Sequence, residues 1–285
     1  MGYKKILIAI NIYEDYEHIV RSAEILAGKY AAEVDIVTVI DNAAEFVPAA
    51  MDFQKALLEN AKEKLDEIKA HFTTLKANYH ILEGAPAGEI IRFSRENHND
   101  LIMIGSHARH GLNLLLGSTA NSVLHKSACD VLTVRVHERG AAKVASYEHI
   151  LVATDLEDDS VEVAELAKEV AVKFNSEVST ITVIGDPTIV TGIYGIVPEV
   201  QTKLDEASKE KLSQWAKKYQ FTGNQYNLSG AAADEITSAA NEFDYGLIII
   251  GSHQRGAIGR FFLGSTANAV LHHAKQDVLV KKLKG

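Results

Sequence analysis

The stretches IGSHARHGLNLLLGSTANSVLHK (residues 104–126) and IGSHQRGAIGRFFLGSTANAVLHH (residues 250–273) decide how this chain is read. Each begins at the end of an apolar run, LIMIG or LIIIG, and passes through Gly-Ser-His into a loop. Each closes on Leu-Gly-Ser-Thr-Ala-Asn, which opens a helical pattern. The loop is one residue shorter in the first copy, as Gly105 to Gly117 against Gly251 to Gly264 shows. A segment of this length occurring twice, half a chain apart, points to a duplicated unit and not to a short tandem repeat.

Working outward, the rest of the chain duplicates in the same order. KKILIAIN (4–11) matches EHILVATD (148–155), which sets Asn11 opposite Asp155. EVDIVTVI (33–40) matches EVSTITVI (177–184), and GAPAGEII (84–91) matches GAAADEIT (230–237). CDVLTVRV (129–136) matches QDVLVKKL (276–283). The chain of 285 residues fits two domains at roughly 150 residues each. We expect a first domain over residues 1–137, a linker over 138–147, where the sequence has no periodicity, and a second domain over 148–285.

Within each half, ILIAI, DIVTVI, LIMIG and VLTVRV are short Val/Ile/Leu-rich runs, the pattern of parallel strands buried on both faces. Between them Leu57, Ala61, Leu65, Ile68 and Phe72 recur at helical spacing, as do Leu212, Trp215 and Tyr219. Alternating strands and helices give an α/β fold: in each half a doubly wound, mostly parallel sheet of about five strands with right-handed crossovers. The third strand, around NYHIL (78–82) and NQYNL (224–228), carries the weakest signal.

Composition narrows the function. The net charge of −9 argues against non-specific nucleic-acid binding, which needs a dense Lys/Arg face. An apolar fraction of 47% with 24% charged residues is that of a globular protein. Cys129 is the only cysteine, so no internal disulfide or cysteine metal cluster is available, and the residue reads as a small buried or edge side chain. No stretch approaches the roughly 20 apolar residues of a membrane span. A cytoplasmic protein without membrane or nucleic-acid partners is expected.

In open parallel sheets, ligands bind beyond the carboxyl ends of strands where strand order reverses. The twin loops lie at such ends. Gly117 and Gly264 allow close backbone approach, and Ser118, Thr119, Ser265 and Thr266 offer hydroxyls and capping groups. Free amides at a helix start make an anion site. An ordinary strand-to-helix connection with a serine cap is the plainer alternative.

Both halves resemble the universal stress protein family in its tandem, two-domain form, a family of Rossmann-like domains of the adenine nucleotide alpha hydrolase-like type. Nucleotide-binding members carry Gly, two residues, Gly, nine residues and Gly-Ser/Thr, with an Asp at the end of the first strand. The second half matches through Asp155, Gly251 and Gly264-Ser265 at the right spacing, with Gln254 in place of the second glycine. The first half matches through Gly105 and Gly117-Ser118. It departs at Asn11, at Ala108 and in loop length.

The resemblance implies an adenine nucleotide, ATP or AMP, with or without Mg²⁺, held mainly by the second domain. It implies Asp155 and Val183 at the base and ribose, Gly251, Gly264, Ser265 and Thr266 at the phosphates, and Ala153, Thr154, Ile250 and Gln254 as further nucleotide-binding residues of the same site. Asn11, Val39, Gly105, Gly117, Ser118 and Thr119 are the weaker counterparts in the first domain. An amide oxygen at Asn11 accepts less strongly than the Asp155 carboxylate. In the loops, Arg255 and Arg260 can reach phosphates, and Gly256 and Gly259 lend adaptability; the first copy keeps Arg109 and Gly111. The resemblance further implies a pseudo-dimer of the two domains through DVLTVRV and DVLVKKL, with a homodimer as a further option. A stress-response regulatory protein is expected, with at most slow ATP hydrolysis. An interaction or adaptor module that has lost the nucleotide is the alternative.

Other chemistry has little support. No Gly-Lys-Ser/Thr phosphate loop occurs, and no Ser/His/Asp order points to acyl transfer. The acidic LEDDS (156–160) suits a helix start, with Asp158, Asp159 and Glu162 near its positive end. Twelve histidines raise the question of a metal, but His272 and His273 diverge by about 100° on a helix. His107 and His253 are candidates for a phosphate contact or for the rim of the cleft, and the course of the loop at His110 is open. No metal site is expected.

Overall fold

The computed structural model describes residues 2–40, 51–72, 74–107, 116–136, 146–185, 198–252 and 263–283. The chain forms two compact units, Met1–Ala145 and Ser146–Gly285. The twin-loop residues Ala108, Arg109, His110 and Gly111, and His253, Gln254, Arg255, Gly256, Gly259 and Arg260, lie outside the described residues.

The first unit runs β1 (Lys5–Ala9), α1 (Glu17–Tyr30), β2 (Glu33–Ile40), α2 (Met51–His71), β3 (Ala77–Glu83), α3 (Pro86–Glu96), β4 (Leu101–His107), α4 (Ser118–Lys126) and β5 (Asp130–Val136). The second runs β6 (His149–Ala153), α5 (Ser160–Phe174), β7 (Glu177–Ile184), α6 (Pro198–Tyr219), β8 (Gln225–Ser229), α7 (Ala232–Glu242), β9 (Leu247–Ser252), α8 (Ser265–His273) and β10 (Asp277–Lys282). Strand order is β3-β2-β1-β4-β5 in the first unit and β10-β9-β6-β7-β8 in the second. Within each unit the neighbouring strands are parallel. The α/β class and the five-stranded doubly wound sheets expected from the apolar runs are therefore present in both halves.

The physical cause is the one the runs suggested. Ile6, Leu7, Ile8, Ile102 and Met103 are fully buried, as are Ile150, Val152, Ile248 and Ile249, because helices cover both faces of a parallel sheet. In α2 the stripe of Ala61, Leu65 and Ile68 is buried, and Phe72 just beyond the helix joins it. Leu212 and Tyr219 bury the matching face of α6, with the Trp215 ring packed edge-on to Tyr219 at 5.3 Å. The faint third strands are real: β3 and β8 lie at sheet edges, and their residues are mostly half-buried. Half-burial relaxes the demand for apolar side chains, so their sequence signal is diluted.

Gly230, just before α7, sits at φ +149, where a side chain is strained, and its amide bonds the carbonyl of Ile184 at 3.0 Å. Gly84 repeats this geometry before α3, at φ +135 with its amide on the carbonyl of Ile40. The repeated Gly-Ala pairs are thus turn devices that set the entry of a helix beside the second strand.

Candidate functional site

The order of strands in the second unit reverses at β6. From there the chain steps to β7 on one side and to β9 on the other, which opens a crevice at their carboxyl ends. Pairing between β6 and β9 stops at Val152 opposite Ile249. Beyond it, Ala153, Thr154 and Asp155 leave on one side and Ile250 and Gly251 on the other. A cleft of about 530 Å³ occupies this place, within the range of roughly 300–1,000 Å³ usual for small-molecule sites. In the first unit the equivalent pairing runs one residue farther, to Ala9 opposite Ile104.

Nine of the ten residues expected in the second half line the cleft: Ala153, Thr154, Asp155 and Val183, then Ile250 and Gly251, then Gly264, Ser265 and Thr266. Gln254, the tenth, lies outside the described residues. The first-half counterparts occupy matching places: Asn11 exposed just past β1, Val39 in β2, Gly105 in β4, and Gly117, Ser118 and Thr119 at the start of α4.

The helix starts correct one expectation. The N-caps of α4 and α8 are Gly117 and Gly264, at φ −61 with extended ψ, and neither helix has a side-chain cap bond. Ser118 and Ser265 are the first helical residues, so the serine-cap alternative does not hold. The first intrahelical bond of α8 comes from the Asn268 amide to the Gly264 carbonyl, at 2.9 Å. The amides of Ser265, Thr266 and Ala267 precede it and point out of the helix end, which carries partial positive charge.

At the opposite wall the strand end is held by short turns. The Asp155 carboxylate accepts the Glu157 amide at 3.2 Å, and the Thr154 hydroxyl accepts the Leu156 amide at 3.0 Å. Leu156 stands at φ +61, a region that L side chains enter at roughly 1–2 kcal/mol. In the first unit Asn11 accepts the Tyr13 amide at 3.1 Å in the same manner, but Ile10 has no hydroxyl to match Thr154, and Ile12 is not in the left-handed region. Asp159 is the N-cap of α5 and Glu162 lies in its first turn, as expected, yet Asp159 makes no side-chain cap bond. Both acids lie at the positive end of the helix, where negative charge is favoured.

The lining also includes residues that the motif did not indicate. Ser160 and Val163 come from the start of α5, Ile181 from β7, and Ala232 and Ile236 from the start of α7. Ala267 and Leu283 complete the floor. A signal for Ala232 and Ile236 existed in the repeated GAAADEIT, two residues past the strained Gly230. Gly251 has a packing reason of its own: a Cβ there would stand 3.0 Å from the tips of both Val163 and Leu283.

Elsewhere, Cys129 is half-buried with its sulfur 3.4 Å from the Ser94 hydroxyl. His272 and His273 lie in the last turn of α8. Among the described residues no group of three or more His, Cys, Asp or Glu side chains is placed to hold a metal ion, and no helix is long and apolar enough to cross a membrane.

Two tandem doubly wound units, with a cleft at the switch point floored by a Gly-Ser-Thr helix start, define a duplicated α/β domain protein of the Rossmann-like class. The sequence profile of the universal stress protein family matches residues 2–135 and 146–282, and the chain belongs to that family. It is 36% identical over 142 residues to universal stress protein A homolog 2 of Coxiella burnetii, covering 47% of this chain and 97% of that protein. It is 33% identical over 140 residues to universal stress protein MJ0531 of Methanocaldococcus jannaschii, covering 48% and 82%. In fold it is similar to a crystal structure of a universal stress protein from Archaeoglobus fulgidus, with TM-score 0.73 and 22% identity, over 99% of this chain and 97% of that one.

Proposed function

We propose that the second unit binds an adenine nucleotide, ATP or AMP, and that the chain is a nucleotide-responsive regulatory protein of the stress response. The stress assignment rests on family membership. The observation that carries the nucleotide is the convergence of Asp155 and the uncapped Gly264–Thr266 turn on one cleft.

The residues present fit such a ligand. Val163, Ile181, Val183 and Ile236 give an apolar wall against which a base can lie. The amides of Ser265 and Thr266 face outward from a positive helix end, where phosphate oxygens are favoured. The Asp155 carboxylate can accept from an amino group or a ribose hydroxyl. No turnover step is part of the proposal; the nucleotide acts as a resident ligand whose presence alters the cleft.

The test is calorimetric titration of ATP and AMP into the full chain and into its Asp155→Ala variant. Saturable binding at one site, weakened at least tenfold in the variant, is expected. Absence of binding to the unaltered chain at millimolar nucleotide would reject the proposal in favour of a partner-binding module.

A further inference from the structure

Ser160 is buried at 4% exposure and lines the cleft as the first residue of α5. Its amide bonds the Glu157 carbonyl at 3.0 Å, but its hydroxyl has no hydrogen-bond partner among the described residues. A serine at a helix start ordinarily caps the helix or bonds a nearby carbonyl; here it does neither. A hydroxyl on the wall of a cleft that its own helix does not engage is open to a bond from a ligand.

We propose that Ser160 is a specificity-determining residue of this cleft, its hydroxyl bonding a sugar hydroxyl of the bound nucleotide. The assignment rests on the nucleotide reading above and adds which part of the ligand is recognised here. The cleft has three kinds of lining. The apolar wall suits a base, and the start of α8 suits an anion. The third is a strip of side-chain oxygens from Thr154, Asp155 and Ser160.

Thr154 and Asp155 already accept backbone amides of their own turn. The loop beside Ser160 carries Glu157, Asp158 and Asp159, which repel phosphate. A neutral group that both donates and accepts is the match for this strip, and a serine hydroxyl can serve it in either direction.

The duplicated unit supplies a contrast. Asn11 and Asp155 lie equally far from the left-handed C-caps Ala31 and Asn175 that end α1 and α5. In that register the place of Ser160 is taken by Tyr16. The first unit therefore lacks the small hydroxyl here, independently of any change in its phosphate loop.

The experiment is calorimetric titration of the full chain and of Ser160→Ala with ATP, 2′-deoxy-ATP and 3′-deoxy-ATP. Alanine is a good helix former, and the thermal midpoint of the variant without ligand checks that it folds. We expect Ser160→Ala to weaken ATP roughly three- to tenfold, the worth of one net hydrogen bond. It should leave unchanged, within about twofold, the affinity for the one deoxy analogue that lacks the partner hydroxyl. An equal loss for all three nucleotides, or no loss for any, would overturn the assignment while leaving nucleotide binding intact. Failure of all three to bind the unaltered chain would overturn the nucleotide reading itself, and the Ser160 assignment with it.

Discussion

The Tyr147 hydroxyl donates to the Asp277 carboxylate at 2.7 Å in a buried setting, joining residues 130 apart in sequence. Tyr3 does the same to Asp130 at 3.0 Å. Each pair ties the segment before a unit's first strand to the first residue of its last strand. Burial, then the Asp277 charge and the bond to it, hold the Tyr147 hydroxyl well above its ordinary pKa, so it stays protonated as a donor. Removing the donor while the carboxylate stays buried should destabilise the second unit by roughly 1.5–3 kcal/mol, the range for a bond to a charged group. Urea unfolding of Tyr147→Phe measures this, and an unchanged midpoint would refute it.

Asp35 is buried in the first unit and gathers Asn99, Asn78, His80 and Lys5, at 3.0, 3.2, 3.3 and 3.4 Å. Burial by itself raises its pKa, but the bonds from Asn99 and Asn78, the Lys5 charge and the His80 bond outweigh it and hold the carboxyl below 3.8. A depressed carboxylate pKa stabilises the fold fully above the unfolded value and loses that contribution as pH falls through the folded one. The stability advantage of the unaltered chain over Asp35→Asn should therefore be greatest above about pH 5 and shrink on acidification toward pH 3. Unfolding midpoints across this range test it; a constant difference would contradict it.

The duplication, the strands and the Gly-Ser-Thr turn were legible in the sequence because buried parallel strands and special turns allow few residue types. Asp155 and Gly264 were indicated by the family resemblance, and both line the cleft. Ser160 did not: it ends the acidic LEDDS, whose composition already had a sufficient explanation at a helix start. That it lines the cleft depends on where β9 and α7 pack, and spacing along the chain does not record that. Gly251 shows the converse, since the family resemblance implied a phosphate contact there while its Cβ position is closed by Val163 and Leu283. Packing alone is a sufficient reason for glycine at this place, and sequence does not expose it.

The bare N-cap of α8 gives a second handle on the cleft. Gly264 has φ −61, so a side chain meets no backbone strain there. An Asp at this place would take the free amides itself, stabilising the helix by a few tenths of a kcal/mol relative to glycine. It would also set a negative charge where phosphate is proposed. Gly264→Asp should keep or raise the thermal midpoint without ligand and lower ATP affinity by at least tenfold. Retained affinity would place the phosphates elsewhere.

The most direct measurement is native mass spectrometry of the gently purified chain during ATP titration, alongside Gly264→Trp and Gly117→Trp. The account predicts one adenine nucleotide per chain, abolished by Gly264→Trp and unaffected by Gly117→Trp. Two nucleotides per chain would contradict the restriction to the second unit. None at millimolar ATP would contradict the proposed function outright.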